Sequence, residues 1–188
     1  DLSILTPWDG GVVAGGWYLE EGGPWFASVA PDGTERWKTV LSLPDWPGPA
    51  DAVPVGDGIT VVGDNGLFHL NADREVAWKR KYDALSDTHP DVLVRTSDGG
   101  YVFAGLKGET LLVRVSKVDA DGGLQWSGVY GNGDAATRVT PAYELGTIIE
   151  RVPGEYLLVG GRRTGAWNGW VASLSEGVEP SRVSETPT

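Results

Sequence analysis

The chain has 188 residues, of which 40% are hydrophobic, so it is long enough for one ordinary domain with a packed core. Its 26 Asp and Glu residues against 15 Lys and Arg residues give a net charge of -11, which disfavours nucleic acid as a partner. The absence of cysteine excludes disulfides and thiolate metal sites, and the absence of methionine indicates a processed form or a fragment.

Glycine and proline punctuate the whole chain, with 28 and 12 residues, and nine tryptophans accompany them. This composition excludes a helical bundle and favours all-β structure. No apolar stretch approaches the ~18 residues of a membrane helix, so we expect no membrane insertion by this segment.

A repeat with two landmarks runs through the chain. Internal repeats of this kind are characteristic of a small set of repeat architectures. Four short apolar segments end in glycine, at Gly15, Gly63, Gly105 and Gly160. An acidic residue followed five positions later by tryptophan forms the second landmark, as Asp32 with Trp37, Asp73 with Trp78, and Asp121 with Trp126. The fourth copy has Glu176 and Ser181 at this spacing. The repeats divide a single domain, 1–188, into units of about 1–44, 45–83, 84–134 and 135–188.

Each unit divides into four predicted strands, because Asp-Gly and Gly-Gly hairpin signals separate short apolar segments. The first unit has predicted strands at Leu2–Pro7, Val12–Gly15, Trp25–Ala30 and Glu35–Leu41. The second has them at Ala52–Val55, Ile59–Gly63, Leu67–Asn71 and Glu75–Tyr82. The third has them at Asp91–Thr96, Tyr101–Gly105, Leu111–Val118 and Leu124–Tyr130. The fourth has them at Thr147–Val152, Tyr156–Gly160, Trp170–Ser175 and Val178–Ser184.

Four-stranded units of this length, joined by hairpins, are typical of β-propeller blades. A meander alone cannot bury both of its faces, whereas blades stacked around an axis do so. The sequence therefore predicts an all-β β-propeller with four four-stranded antiparallel blades, either closed by itself or part of a larger propeller. A β-sandwich and an elongated β-solenoid are the alternative architectures.

The third unit resembles a known class of propeller repeat. Its segments TSDGGYVFAG, at Thr96–Gly105, and VSKVDADGGLQWSGVYG, at Val115–Gly131, resemble the degenerate repeats of secreted and cell-surface proteins of bacteria and archaea. These repeats are similar to the quinoprotein-like and kelch-like propellers. The resemblance implies extracellular display and binding, and its motifs contain no catalytic residue.

The connections between strands predict a plain face of short hairpins and an elaborated face of longer loops, where binding is usually found. The longer loops are Gly16–Pro24, Ser42–Asp51, Asp83–Pro90, Leu106–Thr110, Asn132–Gly146 and Gly161–Gly169. The candidate binding residues on this face are Trp17, Tyr18, Trp46, Tyr143 and Trp167, with Arg162 and Arg163 as an anion contact. Trp37, Trp78, Trp126 and the four repeated glycines are interpreted as structural markers of the blades.

The same loops are rich in carboxylates, which serve either as solvated surface or as the acid pair of a glycoside hydrolase. Solvated surface is the simpler explanation. His69 and His89 make no metal pair, and no nucleophile-elbow or zinc-protease motif occurs. We therefore predict no cofactor, no metal and no enzymatic activity.

The resulting hypothesis is a non-enzymatic extracellular β-propeller that acts as a protein-binding or structural module of a surface assembly in a cell envelope, appendage or virion. Its expected partner is a protein or another copy of itself. One alternative is a lectin-like propeller that binds carbohydrate through Trp17, Trp46 and Trp167. A glycoside hydrolase or lyase is the other alternative.

Overall fold

The computed structural model describes residues 2–18, 22–43, 46, 48–64, 66–107, 112–130, 143–164, 166–176 and 184–185. For 143–144, 162–164, 166–168 and 184–185 it describes the backbone alone. The chain divides into two compact units, Asp1–Ser86 and Asp87–Thr188. Each unit contains two four-stranded antiparallel sheets in which every strand lies beside the next one in sequence.

The first unit contains strands β1 to β8. Its first sheet comprises β1 (Leu2–Trp8), β2 (Gly11–Tyr18), β3 (Gly23–Val29) and β4 (Glu35–Val40). Its second sheet comprises β5 (Pro49–Val55), β6 (Gly58–Gly63), β7 (Gly66–Leu70) and β8 (Val76–Lys81), followed by a short 3₁₀ helix at Asp83–Leu85.

The second unit contains strands β9 to β16. Its first sheet comprises β9 (Thr88–Arg95), β10 (Tyr101–Lys107), β11 (Val113–Val118) and β12 (Leu124–Tyr130). Its second sheet comprises β13 (Tyr143–Val152), β14 (Glu155–Thr164), β15 (Ala166–Ser175) and β16 (Ser184–Glu185). The prediction of four four-stranded antiparallel sheets is thus confirmed, with one sheet in each predicted repeat. The predicted last strand, Val178–Ser184, lies outside the described residues except for Ser184.

The repeated glycines lie in the second strand of each sheet, beside a β-bulge in the first. The register of β1 with β2 shifts between Leu2 and Ile4, opposite Gly15 and Gly16. Equivalent shifts accompany Gly63, Gly105 and Gly160. At Gly105 an added Cβ would clash with the carbonyl oxygen of His89 and lie 2.5 Å from Pro90 Cα. Glycine therefore permits the close approach of backbone that the bulge requires.

A second bulge recurs between the third and fourth strands, directly before each marker tryptophan. Trp37 lies opposite Ser28, Trp78 opposite His69, and Trp126 opposite Lys117. In each pair the register shifts at the next position along the third strand. The three tryptophans are half-buried, and Trp37 and Trp126 pack against the core of their own unit.

Each unit has its own hydrophobic core. In the first unit Phe68 meets both Phe26 and Trp46 in edge-to-face contacts. The ring centroids of Phe26 and Phe68 are 6.0 Å apart. In the second unit buried Val102, Val115, Ile148, Tyr156 and Leu158 belong to one cluster. These side chains alternate along their strands, as expected when apolar residues face a shared core.

Candidate functional site

Three hairpin turns of the first unit meet around two tryptophan side chains. They enclose a cleft of about 580 Å³, which we call the Trp8–Trp37 cleft. Its lining consists of Trp8, Asp9, Ser28, Arg36, Trp37, Ala72 and Arg74, together with the turn Gly56–Asp57. The volume lies within the ~300–1,000 Å³ typical of ligand sites.

A guanidinium group covers both rings of the cleft. Trp8 and Trp37 meet edge to face, with centroids 5.7 Å apart. The Arg74 guanidinium carbon lies 4.3 Å from the Trp37 centroid and 5.1 Å from the Trp8 centroid. The three side chains, each half-buried, form a cation–π stack that joins β1, β4 and the turn between β7 and β8.

Arg74 occupies a backbone conformation that normally belongs to glycine. Its φ is 67°, and the equivalent turn positions of the first and third sheets are Gly33, with φ 87°, and Gly122, with φ 79°. Its guanidinium donates hydrogen bonds to the carbonyl oxygens of Asp57, at 2.8 Å, and Asn71, at 3.3 Å. A non-glycine residue held at positive φ stores backbone strain, a feature that clusters at functional sites.

Ser28 places a buried hydroxyl at the cleft. The residue is 0% exposed, and within the described part of the chain its Oγ has no hydrogen-bond partner. Its cross-strand neighbours are Val13, which has no polar atom in its side chain, and Trp37. A buried hydroxyl without a partner is costly, so a ligand acceptor that reached Ser28 would relieve that cost.

A second guanidinium lies at the wall of the cleft. Arg36 donates to the carboxylate of Asp9 at 3.0 Å and to its carbonyl oxygen at 2.8 Å. The Arg36 side chain is 31% exposed and that of Asp9 is 81% exposed, so this ion pair is well solvated. Such a pair contributes little to stability and exchanges easily with another anion.

Taken together, these groups can bind but contain no evident reacting centre. The cleft combines two aromatic rings, two guanidinium groups and a buried hydroxyl donor. Trp and Arg are the residue types most enriched at binding hot spots. The arrangement is suited to anchoring a polar and partly apolar segment of another molecule.

The second unit has a shallower depression, of about 610 Å³, beside Arg95, Ser97 and Glu150. There the Glu150 carboxylate accepts a hydrogen bond of 2.6 Å from the Ser97 backbone N–H. Glu150 also accepts a longer bond from the Gly154 N–H, at 3.4 Å. This carboxylate is therefore occupied within the fold.

Trp17 and Tyr18 lie in a strand, so the connection predicted at Gly16–Pro24 is shorter than expected. β2 continues to Tyr18, which pairs with Gly23, because aromatic residues suit strand positions. Both side chains are half-buried, and Lys38 Nζ lies 6.0 Å from the centroid of the Tyr18 ring.

Trp46 is part of the core, which corrects its placement among exposed binding residues. It is 3% exposed and meets Phe68 edge to face at 5.5 Å. Leu41 and Leu43 are also buried, so the connection between β4 and β5 contributes to the core. Burying so large a ring is favourable, and its face cannot stack on a ligand in this structure.

Tyr143, Arg162, Arg163 and Trp167 are strand residues, so the predicted loops at Asn132–Gly146 and Gly161–Gly169 are shorter than expected. β14 and β15 form a long hairpin in which Arg163 lies opposite Trp167. Tyr143 lies opposite Arg162. The backbone thus brings the four residues to one end of the fourth sheet, and their side chains lie outside the described structure.

The cleft also corrects the prediction of a plain hairpin face. Four of its lining residues belong to turns between the first and second or the third and fourth strands of a sheet, namely Asp9, Gly56, Asp57 and Arg74. The sequence predicts that these turns lie on the plain face. One signal was visible in the sequence, because Arg74 stands where two other repeats have glycine. Much of the longer loops lies outside the described residues.

Two absences hold for the residues that the structure describes. No group of three or more His, Asp or Glu side chains is placed to hold a metal ion. No helix in this part of the chain is sufficiently long and apolar to span a bilayer.

Comparison with known proteins identifies the fold. No protein-family model and no curated protein matches the chain. The WD40 domain of Neurospora crassa Pan2 is similar with a TM-score of 0.63 and 9% identity, over 98% of this chain and 49% of that one. A protein of unknown function from Bacteroides caccae is similar with a TM-score of 0.52 and 14% identity, over 86% and 69%.

A third similar structure is an S. cerevisiae complex in which dbp5 is bound to nup159 and gle1. Its TM-score is 0.51 at 10% identity, over 99% of this chain and 47% of the matched one. This chain therefore spans about half the length of the Pan2 domain and of the matched yeast chain. These similarities and the four sheets show an all-β β-propeller fold, as predicted.

Proposed function

We propose that this protein is a non-enzymatic β-propeller that binds a segment of a partner protein in the Trp8–Trp37 cleft. The observation that carries the proposal is the stack of Arg74 on Trp8 and Trp37. The positive φ of Arg74 costs of order 1 kcal/mol or more, and a hairpin turn alone would be served better by glycine. A binding role explains why arginine stands there.

The proposed setting is a surface assembly of a cell envelope, appendage or virion. The resemblance of Thr96–Gly105 and Val115–Gly131 to secreted quinoprotein-like and kelch-like repeats supports it. The yeast complex of dbp5 with nup159 and gle1 gives general support for a protein partner. That the protein has no enzymatic activity remains a prediction.

The test is selection of a random peptide library on the immobilised protein, followed by affinity measurement of the enriched peptides. We expect these peptides to bind the wild type and to lose at least 10-fold in affinity for Arg74→Gly. Glycine retains the turn geometry while it removes the guanidinium from both rings.

Arg80→Gln is the matched control, because Arg80 is an exposed residue of β8 in the same unit and does not line the cleft. It removes one positive charge and should leave affinity unchanged. Enriched peptides that bind Arg74→Gly as well as the wild type would contradict the proposal.

Carbohydrate binding is the second candidate, favoured by the proximity of the two tryptophan rings to the carboxylates of Asp9 and Asp57. Aromatic faces stack on sugar rings, and planar carboxylates bind hydroxyl groups. A glycan array with reproducible hits that Arg74→Gly abolishes would support this candidate. Peptide binding at the cleft without any glycan hit would eliminate it.

A further inference from the structure

We infer that the Trp8–Trp37 cleft recognises a carboxylate of the partner polypeptide, which Arg36 and Ser28 bind while the two tryptophans pack on the adjoining apolar atoms. This inference rests on the proposed protein-binding function and specifies the group that enters the site. The carboxylate belongs either to an Asp or Glu side chain or to a chain terminus, and the two sources share the same chemistry.

The register of the sheets singles out Ser28. His69 and Lys117 occupy the equivalent position in the second and third sheets, each opposite a marker tryptophan. Both have partners within the fold, since His69 Nδ1 lies 3.0 Å from Thr60 Oγ1 and Lys117 Nζ lies 2.6 Å from Asp98 Oδ2. In the first sheet Val13 takes the place of Thr60, so the Ser28 hydroxyl has no such partner.

The polar groups of the cleft differ in exposure, and the donors Ser28 and Arg36 are less exposed than the carboxylate of Asp9. The buried Ser28 hydroxyl and the Arg36 guanidinium can both donate, whereas the carboxylate of Asp9 is 81% exposed and Asp57 is also exposed. A ligand that enters the cleft therefore meets donors and must supply acceptors. A carboxylate offers two acceptor oxygens and suits the planar fork of arginine.

The structure itself shows which groups the Arg36 guanidinium donates to. Asp9 supplies one carboxylate oxygen and one carbonyl oxygen to the same guanidinium nitrogen. Because this pair is solvated and weak, a partner carboxylate can replace Asp9 or use the other guanidinium nitrogens. Arg74 adds a second positive charge to the cleft, held in place by the carbonyl oxygens of Asp57 and Asn71.

The net charge of -11 opposes the approach of an acidic partner, but distance limits its effect. At physiological salt, charges more than about 8 Å apart are largely screened. The short-range environment of the cleft, with Arg36 and Arg74 in its lining, then determines the preference for the bound group. The apolar part of the ligand packs on Trp8 and Trp37, whose rings contribute to binding independently of charge.

The experiment titrates four N-acetylated tripeptides into uniformly ¹⁵N-labelled protein and follows the indole N–H signals of Trp8 and Trp37. These signals are assigned with the variants Trp8→Phe and Trp37→Phe. The probes are acetyl-Ala-Glu-Ala-amide, acetyl-Ala-Gln-Ala-amide, acetyl-Ala-Ala-Ala as the free acid, and acetyl-Ala-Ala-Ala-amide. Glu against Gln tests a side-chain carboxylate, and free acid against amide tests a chain terminus.

We expect at least one carboxylate probe to shift both indole signals saturably, with affinity at least 10-fold above that of its amide counterpart. Arg36→Gln should reduce this affinity to the level of the amide. Ser28→Ala should reduce it about 10-fold, the effect of one lost hydrogen bond to a charged group. Arg80→Gln is the charge-matched control and should behave as the wild type, and the dispersed indole spectrum verifies the folding of each variant.

Equal affinity for the carboxylate and amide probes, or carboxylate binding that Arg36→Gln leaves intact, would overturn the inference. The absence of saturable shifts at tens of millimolar probe would overturn it as well. If library-selected peptides still require Arg74, the proposed protein-binding function survives either result. If no selected peptide depends on Arg74, the proposed function itself fails.

Discussion

Lys117 is a charged side chain in the interior of the second unit, where it is 1% exposed. Its ammonium donates to Asp98 at 2.6 Å and to Gln125 at 3.2 Å. Asp98 also accepts from the Thr96 hydroxyl at 2.6 Å and from the Gly100 N–H at 3.0 Å. One carboxylate therefore closes the turn between β9 and β10 and neutralises a buried charge of β11.

We expect Asp98→Asn to destabilise the protein more than Lys117→Met. Removing the carboxylate leaves a buried ammonium without its anion, at a cost of about 1–3 kcal/mol. Replacing Lys117 by methionine removes the buried charge itself and fills a similar volume. Urea unfolding of both variants tests the order, and a Lys117→Met variant less stable than Asp98→Asn would contradict it.

The same carboxylate predicts a pH dependence of stability. The hydrogen bond from Lys117, aided by that of Thr96, lowers the pKa of Asp98 from 3.8 to about 2. A depressed folded-state pKa gives stability that is present above the unfolded value near 4 and is lost as pH falls toward 2. The difference in free energy of unfolding between wild type and Asp98→Asn should therefore shrink from pH 6 to pH 2. A difference independent of pH would refute this role.

At the scale of the strand, the recurring bulges explain the repeated glycines. The first two strands of each sheet change register beside Gly15, Gly63, Gly105 or Gly160. The bulge increases local twist, and at Gly105 it brings two backbones too close for a side chain. A short apolar segment that ends in glycine is therefore the sequence signature of this bend.

Gly105→Ala should lower the free energy of unfolding by about 1–3 kcal/mol, as overpacking does. The added Cβ would meet the backbone of His89 and Pro90, which cannot shift without a large cost in free energy. Gly169→Ala is the control, since a Cβ at that position in β15 meets nothing within 4 Å. Equal stability of the two variants in thermal unfolding would disprove the steric explanation.

The turn between β7 and β8 offers a second prediction at this scale. Arg74→Gly should leave the fold intact and change the free energy of unfolding by no more than about 1 kcal/mol. The relief of positive φ offsets the lost cation–π contacts of this half-buried stack, which together are worth about 1–2 kcal/mol. Calorimetry checks this expectation, and a loss of several kcal/mol would mark Arg74 as a structural residue.

At the scale of the molecule, residues 1–86 and 87–188 are separate compact units with separate cores. In the first unit, buried Ile4, Phe26, Trp46 and Phe68 contact residues of that unit. The cleft also lies wholly within residues 8–74. The described core and the cleft of the first unit are therefore formed by residues of that unit.

We expect residues 1–86 expressed alone to show cooperative thermal unfolding by circular dichroism. The reason is that both sheets and the core between them are retained. The matched control is the chain 1–65, which lacks β7 and β8 and with them Phe68 of the core. Cooperative unfolding of both fragments, or of neither, would contradict this expectation.

The sequence alone determined the repeat, the four four-stranded sheets and the positions of most hairpins. These features are local, because Asp-Gly turns, alternating apolar residues and bulge glycines act within a few residues of chain. The ends of strands such as β2 and β14 were predicted less well, since pairing with a neighbour extends them beyond the local pattern.

Only the tertiary structure decided which residues form the candidate site. Trp8, Ser28, Trp37 and Arg74 are separated by up to 66 positions and meet because β1, β3, β4 and the β7–β8 turn come together. The same non-local packing buries Trp46 against Phe68, although its sequence context is that of an exposed loop. A residue type can indicate what a side chain is able to bind. Whether the side chain is accessible for binding depends on its neighbours, and these come from strands far apart in sequence.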